Sequence, residues 1–325
     1  MANETLATRR QFLAASAGCA AHLMLLASAN PLRAIELFSR TRGRIAAQEP
    51  WGRIERVSDG IWALVSTPLQ DRTTLCNGGI IQGNAGVLVI ESFAQPQGAT
   101  WLAQQARQLT GRWPDHVILT HYHGDHAGGI AGYQHEDQTS RIHCTHVTRE
   151  LVRQQDASRN VDPASPRAAL LANATIIDGN AESTIDLGNR TVRIIPREGH
   201  TRSDVTVEVV DPSVVFCGDL VWNRMFPNYV DAVPSRLTRA VNNLTRTSST
   251  RYVPGHGPLA EAADIRTYVT VLNAVEQAAR AAKTAGQTAA EAAASFRLPL
   301  DAGQWHLFSP RYFETAIGAW LRELG

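Results

Sequence analysis

The chain has 325 residues, 44% of them hydrophobic and 19% charged, with a formal net charge of +1. That length supports one large domain with a substantial core, and the composition excludes a disordered chain. A charge so close to zero gives no electrostatic case for a nucleic-acid partner.

At the N-terminus, Thr8-Arg-Arg-Gln-Phe-Leu13 precedes a charge-free stretch from Ala14 to Leu26, and Ala27-Ser-Ala29 has the small-x-small form of a cleavage site. Residues 1–29 read as a twin-arginine export signal, so the expected partner is the twin-arginine export machinery, and the expected location of the mature protein is periplasmic or secreted. A spanning helix needs about 20 mostly apolar residues. Gly18 and His22 interrupt this shorter run, so no stable membrane span is expected in the mature protein. Removal of Cys19 with the signal leaves Cys76, Cys144 and Cys217, an odd count that implies no disulfide framework.

Residues 30–50 are mixed and Arg-rich and read as an N-terminal arm before a domain over 51–325. Ile54 to Val65 and Gly79 to Glu91 read as strands, joined by a polar loop from Ser66 to Asn77; the second carries the apolar run Gly86-Val-Leu-Val-Ile90. A helix follows, with Leu102, Gln105, Ala106 and Leu109 on one face and Gly111 as its stop. His116-Val-Ile-Leu-Thr120 reads as a buried strand. Further strands are expected at Arg190 to Pro196, Asp204 to Val210 and Ser213 to Cys217. From about residue 261 the chain reads as helical. Ile265, Tyr268, Val269, Leu272, Val275 and Ala279 keep helical spacing up to Gly286, Thr288-Ala-Ala-Glu291 is a capping box, and Ser309-Pro310 opens a last helix with Phe313, Ala316, Ile317, Trp320 and Leu321 on one face. These stripes are expected to pack on the core.

The buried strand ending at Thr120 delivers His121-Tyr-His-Gly-Asp-His126, four potential metal ligands within six positions. In an extended segment, residues i and i+2 point the same way, so His121 and His123 can share one cation. The chain turns at Gly124, and Asp125 and His126 can then face a second. Three later segments each offer one ligand where a strand gives way to a loop: Glu198-Gly-His200, Phe216-Cys-Gly-Asp219 and Val253-Pro-Gly-His256. Imidazoles mixed with carboxylates suit zinc, with iron or manganese possible as the oxygen share rises. Cys217, two residues before Asp219, would share its face on a strand and is read either as a thiol ligand or as a small buried hydrophobe. His306 is the one remaining histidine worth testing against the site. Trp222, Phe226 and Tyr229 are read either as pocket lining or as packing.

With these five motifs in this order, the chain resembles the metallo-β-lactamase superfamily of hydrolases over roughly residues 54–260, and Thr120 to Gly129 is similar to the glyoxalase II form. The resemblance implies an αββα sandwich, here with a C-terminal helical extension; the bare pattern of elements supports only mixed α and β. It implies His121, His123 and His200 at a first metal site and Asp125, His126 and His256 at a second, with Asp219 bridging two zinc ions. Asp125 and Asp219 are then the catalytic carboxylates. Asp204, four residues after His200, is read either as a partner that orients an imidazole or as an ordinary loop carboxylate. Export in the folded state would settle the metal in the cytoplasm.

The function this implies is hydrolysis of a small-molecule thioester, ester or lactone by a hydroxide held between two metals. Zinc β-lactamases usually carry Cys or Ser where Asp219 stands, which makes β-lactam hydrolysis the lesser alternative. A mononuclear iron oxygenase of the persulfide dioxygenase kind would use His121, His123, His200 and Asp219. A metal-binding accessory protein without turnover is the third alternative.

Overall fold

The computed structural model describes residues 45–135, 138–244 and 247–325. The expected export signal and most of the expected arm lie outside the described residues. The arm's last residues form a strand, β1 (Ile45–Glu49), paired antiparallel with β2 (Gly52–Ser58).

The described strands form two sheets. In the first, eight strands lie in sequence order: β1, β2, β3 (Ile61–Ser66), β4 (Gly78–Gln82), β5 (Val87–Ile90), β6 (His116–Ile118), β7 (Arg141–Thr145) and β8 (Thr175–Ile177). Pairing is antiparallel from β1 to β5 and parallel from β5 to β8. The second sheet has the order β14 (Ala260–Glu261), β13 (Arg251–His256), β12 (Val214–Trp222), β11 (Val205–Val209), β10 (Thr191–Pro196), β9 (Ser183–Asp186), with only β12 and β13 parallel.

Eight α-helices lie among the described residues: α1 (Pro96–Thr110), α2 (Gly124–Ala127), α3 (His146–Ser158), α4 (Pro166–Ala172), α5 (Pro234–Asn242), α6 (Ala262–Ala285), α7 (Ala289–Ser295) and α8 (Tyr312–Leu324). Alternation along β3 shows how they are layered. Ile61, Ala63 and Val65 join Val192, Val207 and Phe216 of the second sheet in a core between the sheets. Trp62 and Leu64 point the other way, into a core with Leu102 and Ala106 of α1 and Val152 of α3. On the far side, Val215 and Tyr252 pack against Leu237 of α5, Leu272 of α6, Ala292 of α7 and Ile317 of α8. The result is an αββα sandwich whose C-terminal helices cover the second sheet.

Two expected strands are hairpins. The segment 54–65 turns at Asp59-Gly60 between β2 and β3, and the segment 79–91 turns at residues 83–86 between β4 and β5. Both interruptions carry the turn residues that favour a reversal, Asp-Gly in one and Gly-Asn in the other, set between apolar runs that look continuous. The helix expected to stop at Gly111 does so, with that glycine at φ 78° and its N–H donating to the Arg107 carbonyl.

Candidate metal centre

The seven expected ligands converge, most of them where strands leave the sheets. β6 runs through Leu119 and Thr120 to His121, and His123 sits at the N-cap of α2, which carries Asp125 in its first turn and His126 near its end. His200 lies between β10 and β11, Asp219 lies within β12, and His256 ends β13. Two glycines allow this approach. Gly218 has φ +51°, and a Cβ there would stand 2.7 Å from Thr120 Oγ1. A Cβ on Gly255 would stand 2.0 Å from Asp219 Oδ1.

Seven side chains fall into two groups, His121, His123, His200 and Asp219 in one and Asp125, His126 and His256 in the other, each with ligand atoms within 4.8 Å of one another. Asp219 reaches both. Its Oδ2 lies 3.3 Å from His200 Nε2 and 3.9 Å from His121 Nε2, while its Oδ1 lies 3.0 Å from His126 Nε2 and 3.2 Å from His256 Nε2. His123 Nδ1 is 3.0 Å from His200 Nε2. Asp125 Oδ2 is 3.3 Å from His256 Nε2 and 3.7 Å from His126 Nε2.

These separations fit a shared cation. Donors bound at about 2.1 Å to one tetrahedral ion stand roughly 3.4 Å apart, close to the values found. Although they lie close to one another, the buried Nε2 atoms of His121, His126 and His256 and Oδ1 of Asp219 are not oriented for hydrogen bonds. Buried polar atoms left so are unfavourable unless something satisfies them, and a metal ion would.

The electrostatics agree. Burial holds His121 well below its ordinary value and takes His200 down to about 3, so both stay neutral, the form that binds a metal. Burial would raise the carboxyl of Asp219, but His256, His126 and His200 hold it well below the usual range. Against the same effect of burial, the charge of His126 and the close His256 ring bring Asp125 down to about 2. Burial would lower His256, yet Asp219 and Asp125 lift it to about 9. Asp125 and Asp219 thus draw positive charge toward the second group, which a divalent cation would supply.

The groups behind the candidate ligands were less visible in the sequence. Glu91, buried just beyond the end of β5, lies with Oε1 3.0 Å from His126 Nδ1 and accepts from Thr120 Oγ1 at 2.5 Å. Thr120 Oγ1 is in turn 3.1 Å from His121 Nδ1, so one carboxylate supports a ring in each group. An acid directly after a buried apolar run was the available signal. Asp231 accepts from Tyr122 Oη at 2.5 Å and lies 2.9 Å from His123 Nε2. It is on a distant loop, and no local pattern marks it.

One expectation needs revision, and two open readings are decided. Asp204 does not reach an imidazole: its two oxygens accept from the Thr201 N–H at 2.8 Å and the Thr201 hydroxyl at 2.6 Å, so it fixes the turn carrying His200. Burial pushes its carboxyl up to about 7. Cys217 is not in the cluster, because the ladder shifts register around Gly218 and breaks the two-residue alternation. Its side chain belongs to the apolar core beneath the C-terminal helices. His306 is exposed and pairs through its backbone with Met225. All three aromatics after Asp219 are buried in that same core, and Trp222 also lies against His256 with ring centroids 3.9 Å apart.

Comparison with known proteins accounts for this arrangement. The family profile described as Metallo-beta-lactamase superfamily matches residues 72–266, and the chain belongs to that superfamily. A Beta-lactamase-like protein 2 homolog from Caenorhabditis elegans is 21% identical over 213 residues, 64% of this chain and 65% of that protein. A hydroxyacylglutathione hydrolase from Parasynechococcus marenigrum (strain WH8102) is 24% identical over 171 residues, 51% of this chain and 58% of that enzyme. The chain therefore matches 58 to 65% of the length of these relatives. A metallo-β-lactamase crystal structure from Erythrobacter litoralis shares the fold with a TM-score of 0.56 at 16% identity, covering 70% of this chain and 98% of that one. The family match ends at residue 266, near the start of α6.

Proposed function

We propose that the protein is an exported, dinuclear, metal-dependent hydrolase of thioesters, esters or lactones that uses two zinc ions. The observation carrying this reading is the division of the Asp219 carboxylate, with one oxygen toward His121 and His200 and the other toward His126 and His256. In this reading His121, His123 and His200 would hold the first ion and Asp125, His126 and His256 the second, with Asp219 shared between the two groups. Zinc in such a site supplies Lewis acidity: it activates water at neutral pH and polarises a carbonyl.

The remaining roles belong to the chain. Asp219 is ionised and buried, and keeps the two groups in fixed register. Asp125 is ionised with its side chain 26% exposed, which suits it to take a proton from the attacking water and return it to the leaving group. Cys76 and Cys217 are fully buried with thiols pushed up by burial, so neither serves as nucleophile. The complete second group favours two metals over a mononuclear iron oxygenase, which would leave Asp125, His126 and His256 without a purpose.

The test is a hydrolysis screen of the zinc-loaded protein with activated thioesters, esters, lactones and β-lactams, alongside Asp219→Ala. That variant should lose zinc and hydrolysis together; full zinc in the variant would remove Asp219 from the bridging position. Export is tested by attaching residues 1–29 to a folded reporter. The reporter should reach the periplasm, and replacing Arg9 and Arg10 with Lys should prevent it.

A further inference from the structure

Beyond the candidate ligands, one further group of side chains stands at the metal cluster, and it comes partly from the C-terminal extension. The Trp222 ring lies over His256 at 3.9 Å and 34°. Phe308 meets His256 at 6.2 Å and Trp222 at 6.1 Å, both near edge-on. Tyr312, the first residue of α8, meets Trp222 at 6.4 Å and 74°.

The segment carrying Phe308 is fastened in place. Phe226 N–H donates to the His306 carbonyl at 2.8 Å, and His306 N–H donates to the Arg224 carbonyl at 3.0 Å. Arg224 also binds the Ala302 carbonyl at 2.9 Å and Asp264 at 3.3 Å. α8 is anchored by Ala316, Ile317 and Trp320, which are buried, and Phe313 meets Phe226 at 4.8 Å and Phe296 at 5.0 Å, while Phe308 and Tyr312 lie at the edge of the same core. Phe308 and Tyr312 stay partly exposed beside the candidate ligands. Burial, then the carboxylates Asp125 and Asp219, push the Tyr312 hydroxyl up, which agrees with a ring directed to the metal cluster.

We propose that Phe308 and Tyr312, backed by the buried Trp222 ring, form a side wall of the substrate cleft that receives a flat, apolar group next to the scissile carbonyl. The proposal rests on the hydrolase reading above and narrows its substrates to compounds bearing an aromatic ring or similar flat apolar group. Three rings meeting edge to face leave a surface on which a fourth ring can take the same geometry. A compact acyl group such as acetyl would leave that surface wet.

The test compares binding of phenylacetate and acetate to the zinc-loaded full chain by calorimetry, in the wild type, in a Phe308→Ala/Tyr312→Ala double variant, and in Phe308→Leu. The wild type should prefer phenylacetate by about tenfold, the scale of one or two aromatic contacts. The double variant should lose that preference while acetate affinity and zinc content stay put. Phe308→Leu keeps apolar volume but removes the ring face, and should lose about threefold; it decides the question if the double variant does not fold. Equal binding by the wild type, or an undiminished preference in the variants, would overturn the wall. Turnover of phenylacetyl and acetyl thioesters separates the two levels. Selective binding with no turnover of either overturns the hydrolase reading and keeps the wall, whereas equal turnover of both keeps the hydrolase reading and overturns the wall.

Discussion

Replacing Gly255 with Ala places one methyl group where the site has no room for it. The new Cβ would stand 2.0 Å from Asp219 Oδ1, 2.7 Å from the Gly218 carbonyl carbon and 2.8 Å from its oxygen, where ordinary contact begins at 3.4 Å. The carboxylate would have to retreat by more than an ångström, yet His126 at 3.0 Å, His256 at 3.2 Å and His200 at 3.3 Å hem it in. The other escape is a shift of β13, which would carry the adjacent His256 with it. Overpacking of this kind costs about 1–3 kcal/mol, and here it also disperses the candidate ligands. Urea unfolding of the metal-free protein reads the steric part, and zinc content reads the effect on the site. Gly179→Ala, whose Cβ meets nothing within 4 Å, is the control and should stay within about 0.5 kcal/mol of wild type. A Gly255→Ala protein as stable as wild type and fully loaded with zinc would refute the close approach of β13 to Asp219.

Two other perturbations follow from the same geometry. Asp231→Ala removes the carboxylate 2.9 Å from His123 Nε2 and should weaken binding of one of the two metals roughly ten- to a hundredfold; Asp231→Asn, which can still accept from that nitrogen, should recover part of it. Zinc titration monitored by a chromophoric chelator checks both, and two unchanged affinities would make the contact incidental. Burial takes His143 from 6.5 down to about 4, so below pH 6.5 the unfolded chain binds a proton that the folded chain does not. Stability therefore falls as pH drops from 6.5 toward 4. In His143→Asn the loss between pH 7 and pH 5 should shrink by on the order of 1 kcal/mol, read from urea unfolding at the two values; an equal loss in both proteins would contradict the assignment.

Local chemistry was legible in the sequence, and long-range closure was not. His121 to His126 announces itself because the ligands are near neighbours on a turn, and His200, Asp219 and His256 are each marked by an adjacent glycine. The stop at Gly111 and the capping box at Thr288 could be read from a few residues, since caps are local hydrogen-bonding problems. The reversal at Asp59-Gly60 was hidden by apolar residues on both sides. The thiol-ligand reading of Cys217 rested on a period of two that holds only while the ladder is regular, and the register shift at Gly218, which lies against Thr120 nearly a hundred residues away, leaves Cys217 in its other reading as a small buried hydrophobe. Asp231 has no local signature, because its role exists only once the loop before α5 meets α2. The approach of Phe308 to His256 likewise depends on chain-distant contacts, the backbone pairing of His306 with Met225 among them.

Metal content of the purified protein, counted per chain by elemental analysis for zinc, iron and manganese, is the most direct test of the dinuclear centre. The account predicts close to two metal ions per chain, with zinc predominant. One iron per chain and no second metal would contradict it, and would leave Asp125, His126 and His256 as a polar cluster that binds nothing.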